Sequence, residues 1–292
     1  MSTQKALAVS LLYAFGLKQP ASGWSQFYLY ALLGIDFVLT LARIPILCFM
    51  IRDWFRRESS IKTTFFAFLF TWILIDLPRI GLYTGPMLFS GNGIDRIMNL
   101  LLIASYFDIY HLYAKSVSLV AFSWNRFSIL GFGQSSAFNS ERNGPTCFLL
   151  VLMPLLPTVI TNTVPPAYNP APIFVYACLA LSAFFLFCTI FGAILRGFRF
   201  LPEKVGIEFR LFVFPLILFV THFLSIFIQQ TIVSKTNWTL TDTSAIVYSG
   251  IQLTFTVFMY HLPFILLFCF SPQLLKAILK NPFQKERPTK AQ

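Results

Sequence analysis

Residues 173–195 read IFVYACLALSAFFLFCTIFGAIL, an apolar run of 23 residues without a charged side chain. As a helix rising 1.5 Å per residue, this run is about 35 Å long, enough to cross a hydrocarbon core about 30 Å thick. It lacks the polar–apolar alternation of a barrel strand, and in lipid only helices and closed barrels satisfy the backbone. The run therefore predicts a membrane-spanning helix.

Six further apolar stretches accompany this run, each bounded by charges, by Gly and Pro, or by polar clusters. The seven predicted spans cover residues 27–51, 63–83, 97–123, 145–164, 173–195, 209–233 and 244–270. Only 11% of the 292 residues are charged, against about a quarter in soluble domains. The sequence therefore predicts an all-α integral membrane protein, a seven-transmembrane helix bundle that leaves no residues for a soluble domain.

The basic residues of the loops predict the orientation of the bundle. Fifteen Lys and Arg residues fall on one side of the spans and four on the other, and the positive-inside rule assigns the richer side to the cytoplasm. We therefore expect residues 1–26 to be an extracellular N-terminal segment, 27–270 to be the transmembrane domain and 271–292 to be cytoplasmic. The expected location is the plasma membrane, with several passes through the lipid bilayer.

Two local patterns fit this orientation. Asn237 begins an N-x-S/T acceptor in a loop expected outside and is a candidate glycosylation site, with an unused tripeptide close to the membrane as the alternative. After the last span, apolar residues alternate with Lys276 and Lys280 at helical spacing. This pattern predicts a short amphipathic helix on the inner leaflet, followed by a disordered basic tail from Pro282.

Composition and motifs exclude several classes of function. The net charge of +11 does not indicate nucleic-acid binding, because the basic residues lie in short loops beside apolar spans. All five Cys fall inside predicted spans, where they act as small apolar residues, and no metal-site spacing occurs. The chain also lacks the zincin, P-loop, G-x-S-x-G and dinucleotide signatures. We therefore expect no enzymatic activity and no bound cofactor or metal.

Three ionisable residues share one stripe of the third predicted span: Asp108, His111 and Lys115 lie at about 0°, −60° and −20° around the helix. A charge inside a span costs at least about 2.5 to 3.5 kcal/mol on insertion scales, so the stripe is expected to face the bundle interior. Together with Asp76 of span two, these residues are candidates for ligand binding or for a conformational switch. The sequence leaves open an internal network in which Asp108 and Lys115 only neutralise charge around His111.

Other ionisable pairs recur within the predicted spans. Asp36 precedes Arg43 by seven residues on span one, and Asp76 precedes Arg79 by three on span two. We expect Arg79 to extend to the outer interface, since long basic side chains keep their charge in water. The pairs predict a bundle with a polar interior.

The order of seven spans, an external amino terminus, short loops and an inner-leaflet helix resembles a G-protein-coupled receptor. The stretch WNRFSI at 124–129 is similar to the Asn-Arg-Phe stretch of nematode serpentine chemoreceptors, where rhodopsin-like receptors have Asp-Arg-Tyr. The stretches FSPQL at 270–274 and PEK at 202–204, followed by Glu208, are similar to the same group. On these motifs the chain resembles the gamma superfamily of serpentine receptors.

This resemblance implies a chemosensory receptor that binds an external small molecule and signals through a heterotrimeric G protein. It implies that Arg126, with its neighbour Asn125, belongs to the surface that couples to the G protein. Residues 261–264 read HLPF where rhodopsin-like receptors have Asn-Pro-x-x-Tyr, and no outer Cys is available to tie span three to a loop. The details of rhodopsin-like activation are therefore not implied.

Two other classes of membrane protein compete with this interpretation. A transporter or ligand-gated channel would use the buried polar residues as a path for an ion or a substrate. Its usual signs, paired repeats with helices interrupted in matching positions, do not occur in the sequence. A non-signalling scaffold, in which the polar residues only fix the register of the helices, is the third class.

Overall fold

The computed structural model describes residues 23–54, 64–79, 94–132, 143–164, 171–195, 212–227, 254 and 257–266. Within these ranges the chain forms helices α1 (Gly23–Trp54), α2 (Thr64–Arg79), α3 (Ile94–Phe132), α4 (Asn143–Leu152), α5 (Leu155–Thr163), α6 (Ala171–Leu195), α7 (Phe212–Phe227) and α8 (Val257–Leu266). These ranges contain no strand. The prediction of an all-α chain is confirmed for them.

The helices follow the predicted spans, with differences at their ends. Helix α1 covers the whole first predicted span, and α3 is 39 residues long and continues nine residues past the predicted end of span three. Two stretches, Thr146–Thr163 and Pro172–Gly192, are long and apolar enough to cross a membrane. The loop around Asn237 and the predicted amphipathic helix after span seven lie outside the described residues.

Helices α4 and α5 are two parts of one stretch that is interrupted at Pro154. A proline has no N–H to donate and its ring crowds the carbonyl one turn earlier, so the regular helix breaks here. Directly after the break, the backbone N–H of Thr158 donates to the Pro154 carbonyl at 3.2 Å, and the Thr158 hydroxyl donates to the same oxygen at 2.6 Å. The stretch therefore continues as α5 in spite of the proline.

Helix α3 lies at the centre of the described helices. None of its residues from 109 to 129 is exposed, whichever side of the helix they occupy. On one side the Tyr110 hydroxyl donates to the Val151 carbonyl at 2.9 Å. Nearby, the hydroxyls of Tyr113 and Thr161 are 2.7 Å apart, and the ring of Trp124 packs against that of Phe185 of α6. A central α3 allows one helix to contact most of the others.

Four rings form an aromatic layer between α2, α3 and α7, which consists of Phe68, Trp72, Phe122 and Phe214. The ring of Phe122 lies 6.1 Å from that of Phe68, 5.9 Å from that of Trp72 and 5.6 Å from that of Phe214, measured between centroids. All four side chains are at most 1% exposed. Such rings bury large apolar areas, so this layer is a main contributor to the packing of the three helices.

The outer surface of the helices is apolar, whereas much of their interior is polar. On α6, Ile173, Phe187 and Leu195 are 66–70% exposed. On α1, Asp36 and Arg43 are buried while apolar residues between them, such as Val38, are exposed. A helix of a water-soluble protein shows the opposite pattern, with its apolar stripe inside and its charges outside.

Candidate functional site

The carboxylate of Asp76, on α2, lies at the centre of a buried cluster of charged side chains. Arg43 of α1 approaches it through Nη1, which lies 3.4 Å from Oδ2. From α3, His111 Nδ1 lies 3.4 Å and Lys115 Nζ 3.8 Å from the other oxygen, Oδ1. All four side chains are at most 8% exposed. One carboxylate thus joins three helices.

Lys115 also contacts aromatic rings that belong to two other helices. Its Nζ atom lies 3.4 Å from the centroid of the Tyr260 ring on α8 and 6.0 Å from that of Trp72 on α2. The face of an aromatic ring carries negative charge, so each ring attracts the ammonium. The cluster therefore extends from α1, α2 and α3 to α8.

Helices α1 and α8 are joined at two further points. Nε2 of His261 and Oδ1 of Asp36 are 2.8 Å apart, a hydrogen-bond distance, and both side chains are buried. Seven residues further along α1, Arg43 Nη2 donates to the backbone carbonyl of Tyr260. Residues seven apart lie nearly on the same side of a helix, so the two contacts lie on one face of α1.

A third polar contact joins α3 to α7, where Ser116 Oγ lies 2.9 Å from His222 Nε2 and 2.8 Å from the carbonyl oxygen of Leu112. The serine hydroxyl has a single proton to donate. If that proton goes to the Leu112 carbonyl, His222 must donate from Nε2. This contact begins one residue after Lys115, so adjacent residues of α3 contact different helices.

Each of the two buried carboxylates has basic partners. Asp76 lies beside Arg43, His111 and Lys115, and Asp36 lies beside His261. Buried charges need such partners because their desolvation is costly. Removing one partner of a buried pair typically costs about 3–5 kcal/mol, since the other charge stays buried without compensation. The cluster therefore holds helices together and responds strongly to any change of charge.

Asn125 and Arg126 lie near the other end of α3. Arg126 Nη2 donates to Asn125 Oδ1 at 2.7 Å, and each residue is 2% exposed. The resemblance to serpentine receptors implies that both belong to a coupling surface, but in this structure both are buried. Any contact with a partner protein requires a movement that uncovers them.

The structure brings together three of the four residues that the sequence proposes for ligand binding or switching. His111 and Lys115 share a stripe that faces the interior, as predicted, and the carboxylate beside them is that of Asp76. The side chain of Asp108 lies outside the described part of the structure. The part played by Asp108 in neutralising His111 stays a prediction.

Sequence reasoning missed the partners on other helices. It paired Asp36 with Arg43 along α1, whereas the close contacts of these two residues cross to His261 and Asp76. Tyr260 was not proposed at all, because an aromatic residue in an apolar span gives no signal of its own. Spacing along one helix identifies a shared face, but the register between helices decides which residues meet on it.

Neither a model of a known protein family nor a protein of curated function matches this chain. Among the residues that the structure describes, no group of three or more His, Cys, Asp and Glu is arranged to hold a metal ion. The features of the described structure that bear on function are therefore the charge cluster and helix α3, which contributes His111 and Lys115 to it.

Proposed function

We propose that this protein is a seven-transmembrane chemosensory receptor that binds an external small molecule and signals through a heterotrimeric G protein. The observation that carries the proposal is the position of two polar sites on one central helix. Lys115, in the charge cluster, and Arg126, near the inner end, are 11 residues apart on α3, about 16 Å along the axis. A movement of α3 would therefore act on both sites.

The surface of the helices supports a location in the lipid bilayer. Large apolar side chains point outward on α6, and two stretches are long and apolar enough to cross a membrane. In water such a surface would drive association, whereas in lipid it needs no partner. The proposed topology has seven spans, with the amino terminus outside and the carboxyl terminus in the cytoplasm, as the distribution of loop charges predicts.

The proposed mechanism is a shift between two packings of the helices. A molecule that enters from the outside and binds the charge cluster better in one packing favours that packing. A shift from 1% to 99% active requires about 5.5 kcal/mol of differential binding. Loss of one partner of a buried charge typically costs about 3–5 kcal/mol, so a molecule that supplies such a partner in only one packing can provide most of this difference. The active packing uncovers Arg126, which is covered in this structure.

A transporter or channel would need a polar path through the bundle. Phe122, in the aromatic layer, lies between Lys115 and Arg126 along α3, and its ring packs against those of Phe68, Trp72 and Phe214, all at most 1% exposed. This packing favours the receptor over a conducting protein. A ligand-gated current in cells without G-protein signalling would reverse that preference.

The direct test expresses the protein at the cell surface and applies a panel of small molecules with a readout of G-protein activation. We expect at least one compound to activate, and the variant Arg126→Gln to lose the response while it keeps its surface level. Arg52→Gln is the matched control, because Arg52 is an exposed arginine near the end of α1 and its loss should leave the response intact. Surface expression without activation by any compound would count against the receptor.

A further inference from the structure

One oxygen of Asp76 has unused capacity to accept hydrogen bonds. The Oδ1 atom is buried, and none of its contacts in the described part of the protein meets hydrogen-bond geometry. The ammonium of Lys115 is 3.8 Å away, whereas a charge-assisted N–H···O bond measures about 2.7–2.9 Å. The tethered ammonium therefore stops about 1 Å short of the distance that an unconstrained one would reach.

The surroundings of this oxygen match those that bind organic ammonium ions. A carboxylate lies on one side of Lys115 Nζ and the face of the Tyr260 ring on another, at 3.4 Å, with the Trp72 ring at 6.0 Å. Aromatic faces combined with negative charge are a recurring means of recognising such cations. Lys115 thus occupies, as part of the chain, a position suited to an external molecule of the same chemistry.

The geometry also indicates which partner is exchangeable. Asp76 has a short side chain, and Arg43 holds its other oxygen, Oδ2. Lys115 has a flexible stem of four methylenes and can turn away by rotation about its bonds. Withdrawal of Lys115 leaves Asp76 with Arg43 and His111 and vacates a position between Oδ1 and the face of the Tyr260 ring. The carboxylate oxygen and the negative ring face on either side of this position favour a cation over an anion.

We propose that Asp76, Tyr260 and Trp72 form an ammonium-binding site, that Lys115 occupies it as an internal ligand, and that the external molecule is an organic ammonium that replaces Lys115. The tether gives Lys115 an effective concentration on the order of millimolar or higher, so a minimal amine competes poorly with it. The physiological molecule is therefore larger than a simple alkylamine and makes further contacts. The claim that an external molecule replaces Lys115 depends on the proposed receptor function, whereas the ammonium-binding site itself does not.

The experiment removes Lys115 and supplies its head group separately. In Lys115→Ala, n-propylammonium corresponds to the missing atoms from Cγ to Nζ. With the full-length variant in lipid nanodiscs, we expect this ion to raise the melting temperature saturably by about 3 °C or more at ten times its Kd. 1-Propanol, which is similar in size but uncharged, should have no such effect, and wild-type protein should not respond at the same concentrations.

Two variants serve as controls for the site. Lys115→Met fills the space without a charge and should not respond to n-propylammonium. The double variant Asp76→Asn/Lys115→Ala keeps the space but loses the carboxylate, and it should not respond either. If Lys115→Ala does not fold alone, the readout becomes recovery of monodisperse protein solubilised with n-propylammonium or with 1-propanol. Selective recovery with the ammonium supports the site.

Three outcomes would overturn the proposal: equal effects of the ammonium and the alcohol, a response that persists in the double variant, or no effect of the ammonium in either readout. None of these measurements involves a G protein. Stabilisation by n-propylammonium without any G-protein activation would contradict the receptor function alone. Activation by other compounds without an ammonium effect would contradict the site alone.

Discussion

Asp76 faces basic side chains from two other helices. Arg43 reaches one of its oxygens from α1, and His111 and Lys115 approach the other from α3. Several partners around one acid make the acid harder to replace than any one of its partners. The two predictions at the scale of the residue follow from this asymmetry.

Asp76→Asn should destabilise the protein strongly. The amide leaves the charges of Arg43 and Lys115 buried without their shared counter-ion, which typically costs about 3–5 kcal/mol. Thermal unfolding in nanodiscs measures the loss. Thr71→Val, on the same helix, is the control and should cost about 1 kcal/mol, because the Thr71 hydroxyl bonds neutral groups, the Ala67 carbonyl of its own helix and the Cys147 thiol. Equal losses in the two variants would show that the charge of Asp76 is unimportant.

Lys115→Met should keep its surface expression and change its response to activating compounds. Asp76 retains Arg43 and His111 as partners, so the neutral substitution leaves no isolated charge. Flow cytometry of surface protein and dose–response curves for G-protein activation measure the two properties. A variant that signals like the wild type would assign the stripe on α3 a structural role only.

At the scale of the element, α3 carries most of the contacts that define the interior. The sequence predicts its helical form and the face shared by His111 and Lys115, because both follow from the helical period. The sequence does not predict that Tyr260 meets Lys115, since these residues are 145 positions apart and meet through the packing of two helices. Spacing within one helix thus predicts which of its residues lie on the inner face. The residues of other helices that they contact are known only from the fold.

Phe122→Ala should leave a cavity in the aromatic layer and lower the free energy of unfolding by about 3–5 kcal/mol. Its ring contacts Phe68, Trp72 and Phe214 and is 0% exposed, so truncation removes packing between three helices at once. Phe187→Ala, at a position 66% exposed, is the matched control and should cost less than about 1 kcal/mol. Melting temperatures in nanodiscs measure both losses. Equal melting temperatures of the two variants would contradict the central role of Phe122.

At the scale of the whole molecule, the described helices bury charged side chains and expose large apolar ones, the reverse of the pattern in a soluble protein. The composition predicts this class of protein, because 57% hydrophobic residues exceed what a soluble core requires. The sequence does not predict which side of α6 faces outward, because this helix is apolar nearly all round and contains no charged residue to mark its inner side. The outward position of Phe187 is known only from the packing.

Phe187→Lys distinguishes a lipid-facing surface from a water-facing one. In water, a lysine at so exposed a position would be nearly neutral, whereas near the centre of a bilayer it costs about 2.5–3.5 kcal/mol. We expect reduced membrane insertion, measured as the fraction of protein resistant to carbonate extraction. Phe187→Leu should insert normally. Equal insertion of the two variants would place this side of α6 outside the hydrocarbon.

The contacts of Asp36 with His261 and of Arg43 with Tyr260 join the first described helix to the last one. If the chain were divided between α5 and α6, these contacts between α1 and α8 would hold the two pieces together, as would the packing of α3 against α6. We expect co-expressed fragments 1–166 and 167–292 to reassemble in one membrane and to be purified together through a tag on either piece. With Asp36→Asn in the first fragment, the yield of co-purified fragments should fall. Reassembly of the unaltered fragments would mean that two separate genes can supply the two halves of the protein.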